Sequence, residues 1–229
     1  MTQVMKNSDK DRPTPTIEDY LAIMYVMERD GESIIGARLA ESLDVAPPTV
    51  TITLKRMERD GWITTHGRKG VHLTSAGRDA ARSVIRRHML TEWMLARMLN
   101  VPWSRIHAEA HQIEHTISDE VEARLRSNLD DPQLCPHGNP LPGYEHVAMN
   151  WIQLTAFNPG DQVVIRRIHE TAEEDPAVLH FLESNDLLPG KQVSVIEILP
   201  FNQTMTLAIA DQQVVLGFRT AEQIFGEKA

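Results

Sequence analysis

Residues 47–66, PPTVTITLKRMERDGWITTH, carry the clearest structural signal in the chain. Two prolines open a predicted helix, where proline is tolerated because its missing N–H has no partner in the first turn. Gly61 ends this helix, and two β-prone runs follow, Trp62–His66 and Val71–Thr74, joined by a Gly-Arg-Lys-Gly tip. A shorter helix at about 36–43 comes before it. This order of helix, turn, helix and basic hairpin predicts a winged helix-turn-helix.

Apolar spacing of three and four residues predicts further helices on both sides of this motif. They cover residues 16–29, about 75–99 and about 103–128. The segment 130–143, DDPQLCPHGNPLPG, is dense in proline and glycine and reads as a linker, in which Cys135 has no assigned role. Short β-prone runs after residue 155 predict a small barrel of the SH3-like kind.

The expected fold is therefore mainly α, with three parts. We expect a winged helix-turn-helix DNA-binding domain (1–74), then a helical dimerisation and metal-binding domain (75–143). A linker and an SH3-like β-barrel follow (144–229).

The charge distribution favours a protein that meets DNA with one face. The net charge is −9, yet residues 46–87 carry nine basic and three acidic side chains, so this segment is +6 and the remainder −15. No run of about 18 apolar residues exists, so we expect no membrane span. A single cysteine, Cys135, excludes an internal disulfide and is typical of the reducing cytoplasm.

The start of the predicted recognition helix is small and weakly polar. Such residues contact a thymine methyl group or donate one hydroxyl, so we expect modest base recognition with phosphate contacts supplying much of the affinity. The candidate DNA-binding residues are Arg38, Ala46, Pro48, Thr49, Thr51, Lys55, Arg56, Arg68 and Lys69.

The predicted helix 103–128 carries a candidate metal site. His107, His111, Glu114 and His115 project from one sector of an ideal helix, and imidazole with carboxylate suits Mn, Fe or Zn. His107 and His115 are roughly 12 Å apart along such a helix, which favours two ions. His88 and Glu92, four residues apart on the preceding helix, would complete the site of His107.

Two other functions are compatible with these residues. A metallohydrolase would need an open coordination position and a general base, and the chain has no H-E-x-x-H motif. A helix-turn-helix regulator that senses an organic ligand would use the metal only for folding.

The motifs resemble those of the diphtheria toxin repressor (DtxR/IdeR/MntR) family over nearly the whole chain. They are TIEDYL (16–21), PTVTITLKRMERDGWI (48–63), LTSAGR (73–78), RRHMLTEWML (86–95), HAEAHQIEHTISDEVEARL (107–125) and HGNPLPG (137–143). The resemblance implies a metal-dependent repressor that is not an enzyme, that binds operator DNA as a homodimer and that controls metal-uptake genes.

The resemblance also implies two metal sites. The primary site would consist of Asp19, His111, Glu114 and His115. The ancillary site would consist of His88, Glu92, His107, Glu170 and Glu173. Iron-type members have Met and Cys where this chain has Asp19 and His111, and manganese-type members have Glu in place of His111 and Ala22. Harder donors favour Mn(II), with Fe(II) as the alternative.

Overall fold

The structure is a computed structural model that describes residues 12–65 and 70–229. The described residues form two compact units, which divide between Arg86 and Arg87. The described residues include no helix with the length and apolar character needed to cross a membrane.

The first unit has the element order of the predicted winged helix-turn-helix. Its elements are α1 (Pro15–Arg29), α2 (Gly36–Ser42), α3 (Pro47–Arg59), β1 (Ile63–Thr65) and β2 (Val71–Leu73). The two strands pair antiparallel, with Ile63 opposite Leu73. Leu21 and Met24 are fully buried, because apolar residues spaced three apart share one face of α1. Met57 of α3 is also fully buried. The predicted wing-tip residues Arg68 and Lys69 lie outside the described residues.

A close backbone approach fixes the start of the next helix, α4 (Ser75–Met98). The Thr74 hydroxyl lies 2.7 Å from the Gly61 carbonyl oxygen and accepts a hydrogen bond from the Gly77 amide at 3.0 Å. A Cβ added at Gly77 would lie 2.0 Å from the carbonyl oxygen of Trp62. Only glycine therefore fits at this position of the LTSAGR motif.

The second unit corrects the prediction of one continuous helix over 103–128. A 3₁₀ turn (Trp103–Arg105) leads into α5 (Ile106–His111), a second 3₁₀ turn covers Glu114–Thr116, and α6 (Asp119–Asn128) follows. The extended backbone of Ile117 breaks the helix, and the Ser118 hydroxyl then caps α6 by accepting from the Val121 amide. The apolar spacing that predicted one helix over 103–128 did not reveal this break.

The segment 130–143 is also not a linker. Cys135, His137, Asn139 and Leu141 are all buried. Its backbone carbonyls accept hydrogen bonds from the α4 side chain Trp93, at 2.7 Å, and from Trp103, at 3.0 Å. A proline- and glycine-rich composition here marks a segment with a defined, packed conformation.

The C-terminal part is a six-stranded antiparallel sheet with short helices. The elements are β3 (Ile152–Gln153), β4 (Gln162–Ile168), α7 (Glu170–Glu173), α8 (Pro176–Ser184), β5 (Gln192–Leu199), β6 (Thr204–Ile209), β7 (Gln212–Gly217), α9 (Phe218–Ala221) and β8 (Ile224–Lys228). The strand order is β3-β8-β4-β5-β6-β7, and no pairing of the two outer strands closes it among the described residues. The predicted closed barrel is thus not confirmed.

We expect Gly77→Ala to lower the free energy of unfolding by about 1–3 kcal/mol or more, because the new Cβ must displace backbone. Gly36→Ala is the matched control, since its Cβ would meet only the Val50 side chain at 3.8 Å. The control should be neutral or stabilising by up to about 1 kcal/mol. Urea unfolding of both variants measures the difference, and equal stability would contradict the close approach.

Candidate metal centre

Helix α4 positions His88 and Glu92 one turn apart, on one side of the helix. The Glu92 side chain is completely buried. Its Oε1 lies 3.2 Å from His88 Nε2, 3.4 Å from His107 Nδ1 and 3.2 Å from His137 Nδ1. A buried carboxylate is costly unless it is paired, and here three imidazoles face the same oxygen.

Helix α7 contributes Glu173 to this cluster. Its Oε2 lies 2.9 Å from His107 Nδ1, and the Asn139 amide donates to its Oε1. His88, Glu92, His107 and Glu173 each offer one ligand atom, and these atoms lie within 4.8 Å of one another. Glu170 is not in this cluster, because its carboxylate accepts a hydrogen bond from Arg167 at 2.7 Å. We call these four residues the ancillary cluster.

Three further predicted ligands meet where α5 ends. Glu114 Oε1 lies 3.4 Å from His111 Nδ1 and 3.4 Å from His115 Nε2. The buried Arg87 side chain donates to the Glu114 carbonyl oxygen at 3.1 Å and so holds the 3₁₀ turn. Asp19 lies half-buried on α1 in the first unit, and its membership of this site stays a prediction.

His88 connects the two groups of ligands. Its Nε2 faces Glu92 and His107, while its Nδ1 contacts the Glu114 carboxylate. Burial lowers the pKa of His88, but the charge of Glu92 and the hydrogen bond to Glu114 outweigh it and raise the pKa to about 9. Burial raises the pKa of Glu114, but hydrogen bonds from His111 and His88 hold it at about 2. Without metal, the centre is therefore a cluster of ion pairs.

Sequence reasoning missed His137 and Cys135. Together with Glu92 they form a third group of buried donors within 4.8 Å of one another. Burial, and then the charges of Glu92 and Glu173, raise the pKa of the Cys135 thiol well above its ordinary value. The Cys-Pro-His spacing, with two donor residues flanking a proline, was the available signal, but the segment was interpreted as a linker.

The donor set fits a divalent transition-metal ion. Imidazole nitrogen and carboxylate oxygen are the ligands that Mn, Fe and Zn take. Two buried atoms of the group Glu92, Cys135 and His137, namely Glu92 Oε2 and His137 Nδ1, lack a hydrogen bond of normal geometry. Buried polar atoms are rarely left unsatisfied, so these two are available for coordination.

The predicted DNA-binding residues that the structure describes belong to α2, α3 and the residue before α3. Ala46, Pro48, Thr49, Thr51, Lys55, Arg56 and Arg38 are all exposed. The Thr51 hydroxyl donates to the Pro47 carbonyl oxygen at 3.2 Å, within its own helix. Arg56 lies 3.6 Å from Asp60, and Arg38 pairs with Glu32.

Three family models match the chain in order. The iron dependent repressor N-terminal DNA binding domain matches residues 13–71, its metal binding and dimerisation domain matches 74–143, and the FeoA domain matches 152–228. The iron-dependent repressor IdeR of Mycobacterium tuberculosis is 34% identical over 224 residues, which cover 93% of this chain and 97% of IdeR. This chain belongs to the DtxR/IdeR/MntR family of metal-dependent repressors. It is therefore a metal-dependent transcriptional repressor, as the sequence predicted, and not an enzyme.

Solved structures of manganese regulators share this fold. A manganese-dependent transcriptional repressor in complex with manganese superposes with a TM-score of 0.80 at 29% identity, covering 93% of this chain and all of that one. The manganese regulator SloR superposes with a TM-score of 0.77 at 28% identity, covering 95% of this chain and all of SloR. The relatives thus include both iron- and manganese-dependent repressors.

The ion pairs of His88 predict a pH dependence of the metal-free protein. Because its pKa is raised from 6.5 to about 9, its stabilisation is complete below pH 6.5 and is lost as pH rises through about 9. We expect the stability difference between wild type and His88→Gln, measured by urea unfolding in EDTA, to shrink from pH 6.5 to 9.5. A constant difference over this range would show that His88 is not charged in the metal-free fold.

Proposed function

We propose that this chain is a Mn(II)-activated repressor that binds operator DNA as a homodimer and controls genes for metal uptake. The observation that supports this most directly is the pair of ligand groups whose histidines all lie in the segment matching the metal binding and dimerisation domain. Their oxygen and nitrogen donors suit a hard divalent ion. The solved structures of manganese-dependent relatives agree with this choice.

Fe(II) is the second candidate. The relatives named for iron, such as IdeR, are 34% identical over nearly their whole length. The buried Cys135 beside Glu92 also provides a softer donor than carboxylate or imidazole.

We propose two ions per chain. The primary site would use Asp19, His111, Glu114 and His115. The second ion would bind at Glu92, held either by the rest of the ancillary cluster or by Cys135 and His137. Glu92 belongs to both ligand sets, which supports one ion rather than two there, and Glu170 would then act through Arg167 instead of as a ligand.

The proposed switch depends on Asp19 being far in sequence from the other primary ligands. A bound ion supplies positive charge and fixed coordination geometry. Asp19 belongs to α1 of the DNA-binding part, whereas His111, Glu114 and His115 follow α4. Shared coordination would restrain these parts, and if the DNA-competent arrangement is the better ligand set, its population rises. DNA must then tighten metal binding by the same factor.

We propose the domain limits that the sequence predicts. Residues 1–74 bind DNA, residues 75–143 form the dimer and bind metal, and residues 144–229 form the linker and SH3-like domain. The C-terminal domain, residues 144–229, would contribute to metal sensing through Glu173, which contacts His107. A homodimer would place two recognition helices on a near-palindromic operator. We place this repressor in the cytoplasm.

We expect tight DNA binding to require a metal ion that Asp19 helps to coordinate. With DNA duplexes selected from a random pool, we expect Mn(II) to raise the affinity of the wild type by about 5–150-fold over EDTA-treated protein. Asp19→Ala should lose most of this activation while unfolding normally in EDTA. The exposed Asp79→Ala is the matched control and should retain it. Equal affinity with and without metal would contradict the proposed function.

The two ligand sets around Glu92 should differ in metal preference. We expect Cys135→Ala to weaken Zn(II) binding about tenfold or more and to change Mn(II) binding little, because thiolate is a soft donor. His107→Gln should weaken Mn(II) binding. Competition with a chelating dye measures both ions, and elemental analysis of the wild type should give two ions per chain. An unchanged Zn(II) affinity in Cys135→Ala would exclude the thiol as a ligand.

A further inference from the structure

The exposed face of α3 carries one large apolar side chain at its centre, that of Ile52. The side chain is 70% exposed, although Val50 and Met57 of the same helix are buried. On an ideal helix, Ile52 points about 140–160° away from these two buried residues. Ile52 therefore contributes little to the packing of α3 against the described residues of the first unit.

Basic and small residues surround Ile52 on this face. Pro48, Thr49, Lys55, Arg56 and Arg59 lie within about 60° of Ile52 around the helix axis, and all five are exposed. Phosphate groups would attract the three cations at the far end of the helix, two of which, Arg56 and Arg59, also pair with Asp60. The small residues at its start would let the helix approach base edges closely. Ile52 lies between the basic and the small residues, in the second turn of α3, and would face the same DNA.

An isolated exposed isoleucine is common on protein surfaces and by itself indicates nothing. Isoleucine is, however, a weaker helix former than the Ala, Lys or Glu that suit an exposed helical position. At the centre of a cationic face, its one apolar neighbour among the exposed residues of that face of α3 is Pro48. The feature of a DNA base edge that such a side chain recognises is the C5-methyl group of thymine, which lies in the major groove.

We propose that Ile52 determines operator specificity by packing against a thymine methyl group in each half-site. This inference rests on the proposed function, since it requires that α3 enters the major groove. It adds an apolar contact to a helix start that has no side chain able to make a bidentate hydrogen bond with guanine or adenine. Base recognition by this face then depends on the shape and methyl pattern of the groove.

The test uses deoxyuridine, which lacks only the methyl group of thymidine. Duplexes are first selected from a random pool with wild-type protein in Mn(II), and each thymidine is then replaced in turn. We expect at least one replacement per half-site to weaken binding about fourfold, which corresponds to the burial of one methyl group. Ile52→Ala should bind the thymidine and deoxyuridine duplexes equally at that position, and Ile52→Val should restore the difference.

Lys55→Ala is the comparison variant on the same face. It should weaken binding to all duplexes about equally and reduce the salt dependence, while the ratio between thymidine and deoxyuridine duplexes stays as in the wild type. If Mn(II) enriches no duplex, the repressor function and this inference fail together. If duplexes are enriched but Ile52→Ala keeps the wild-type ratio, or no methyl group matters to the wild type, only the role of Ile52 is overturned.

Discussion

The charged hydrogen bonds of His88 to two buried carboxylates are the interaction on which the metal centre depends. Glu92 and Glu114 are both buried, and an isolated buried carboxylate would be neutral or would destabilise the fold. His88 contacts Glu92 through one ring nitrogen and Glu114 through the other, and it lies on the long helix α4. The metal-free fold is therefore stabilised by the same nitrogens and oxygens that a metal ion needs. Metal binding must displace protons that already contribute to stability.

The second constraint is the packed segment 130–143, which brings ligands from distant parts of the chain together. The His137 carbonyl accepts from the Ile168 amide at 2.8 Å, and the Asn139 amide donates to the Ile168 carbonyl at 2.7 Å. Asn139 also contacts Glu173 and accepts from Arg167. A Cβ on Gly138 would lie 2.0 Å from the Arg166 carbonyl oxygen. The HGNPLPG motif therefore holds β4 and α7 next to the helices that carry the histidines.

Sequence reasoning succeeded where the determining contacts are local. His88 and Glu92 share a helix at a spacing of four, and proline, glycine and hairpin signals between residues 36 and 74 indicate the winged helix-turn-helix. It failed for helix 103–128, because Ser118 was not recognised as the cap of a new helix. His111, Glu114 and His115 still meet, yet through a 3₁₀ turn and not through the face of one helix. The sequence predicted both Glu170 and Glu173 as ligands. That only Glu173 lies in the ancillary cluster depends on where the C-terminal domain packs, which no local pattern encodes.

The metal preference of such a centre cannot follow from raw affinity alone, because Zn(II) binds most nitrogen and oxygen sites more tightly than Mn(II) does. The buried thiol bears on this point. A thiol coordinates as thiolate, and burial together with the charges of Glu92 and Glu173 raises the pKa of Cys135 well above its ordinary value. A soft ion that uses Cys135 must therefore remove a tightly held proton close to two carboxylates. A hard ion held by His88, His107 and the carboxylates leaves that thiol protonated, so the cost of the thiolate falls only on the ions that prefer sulfur.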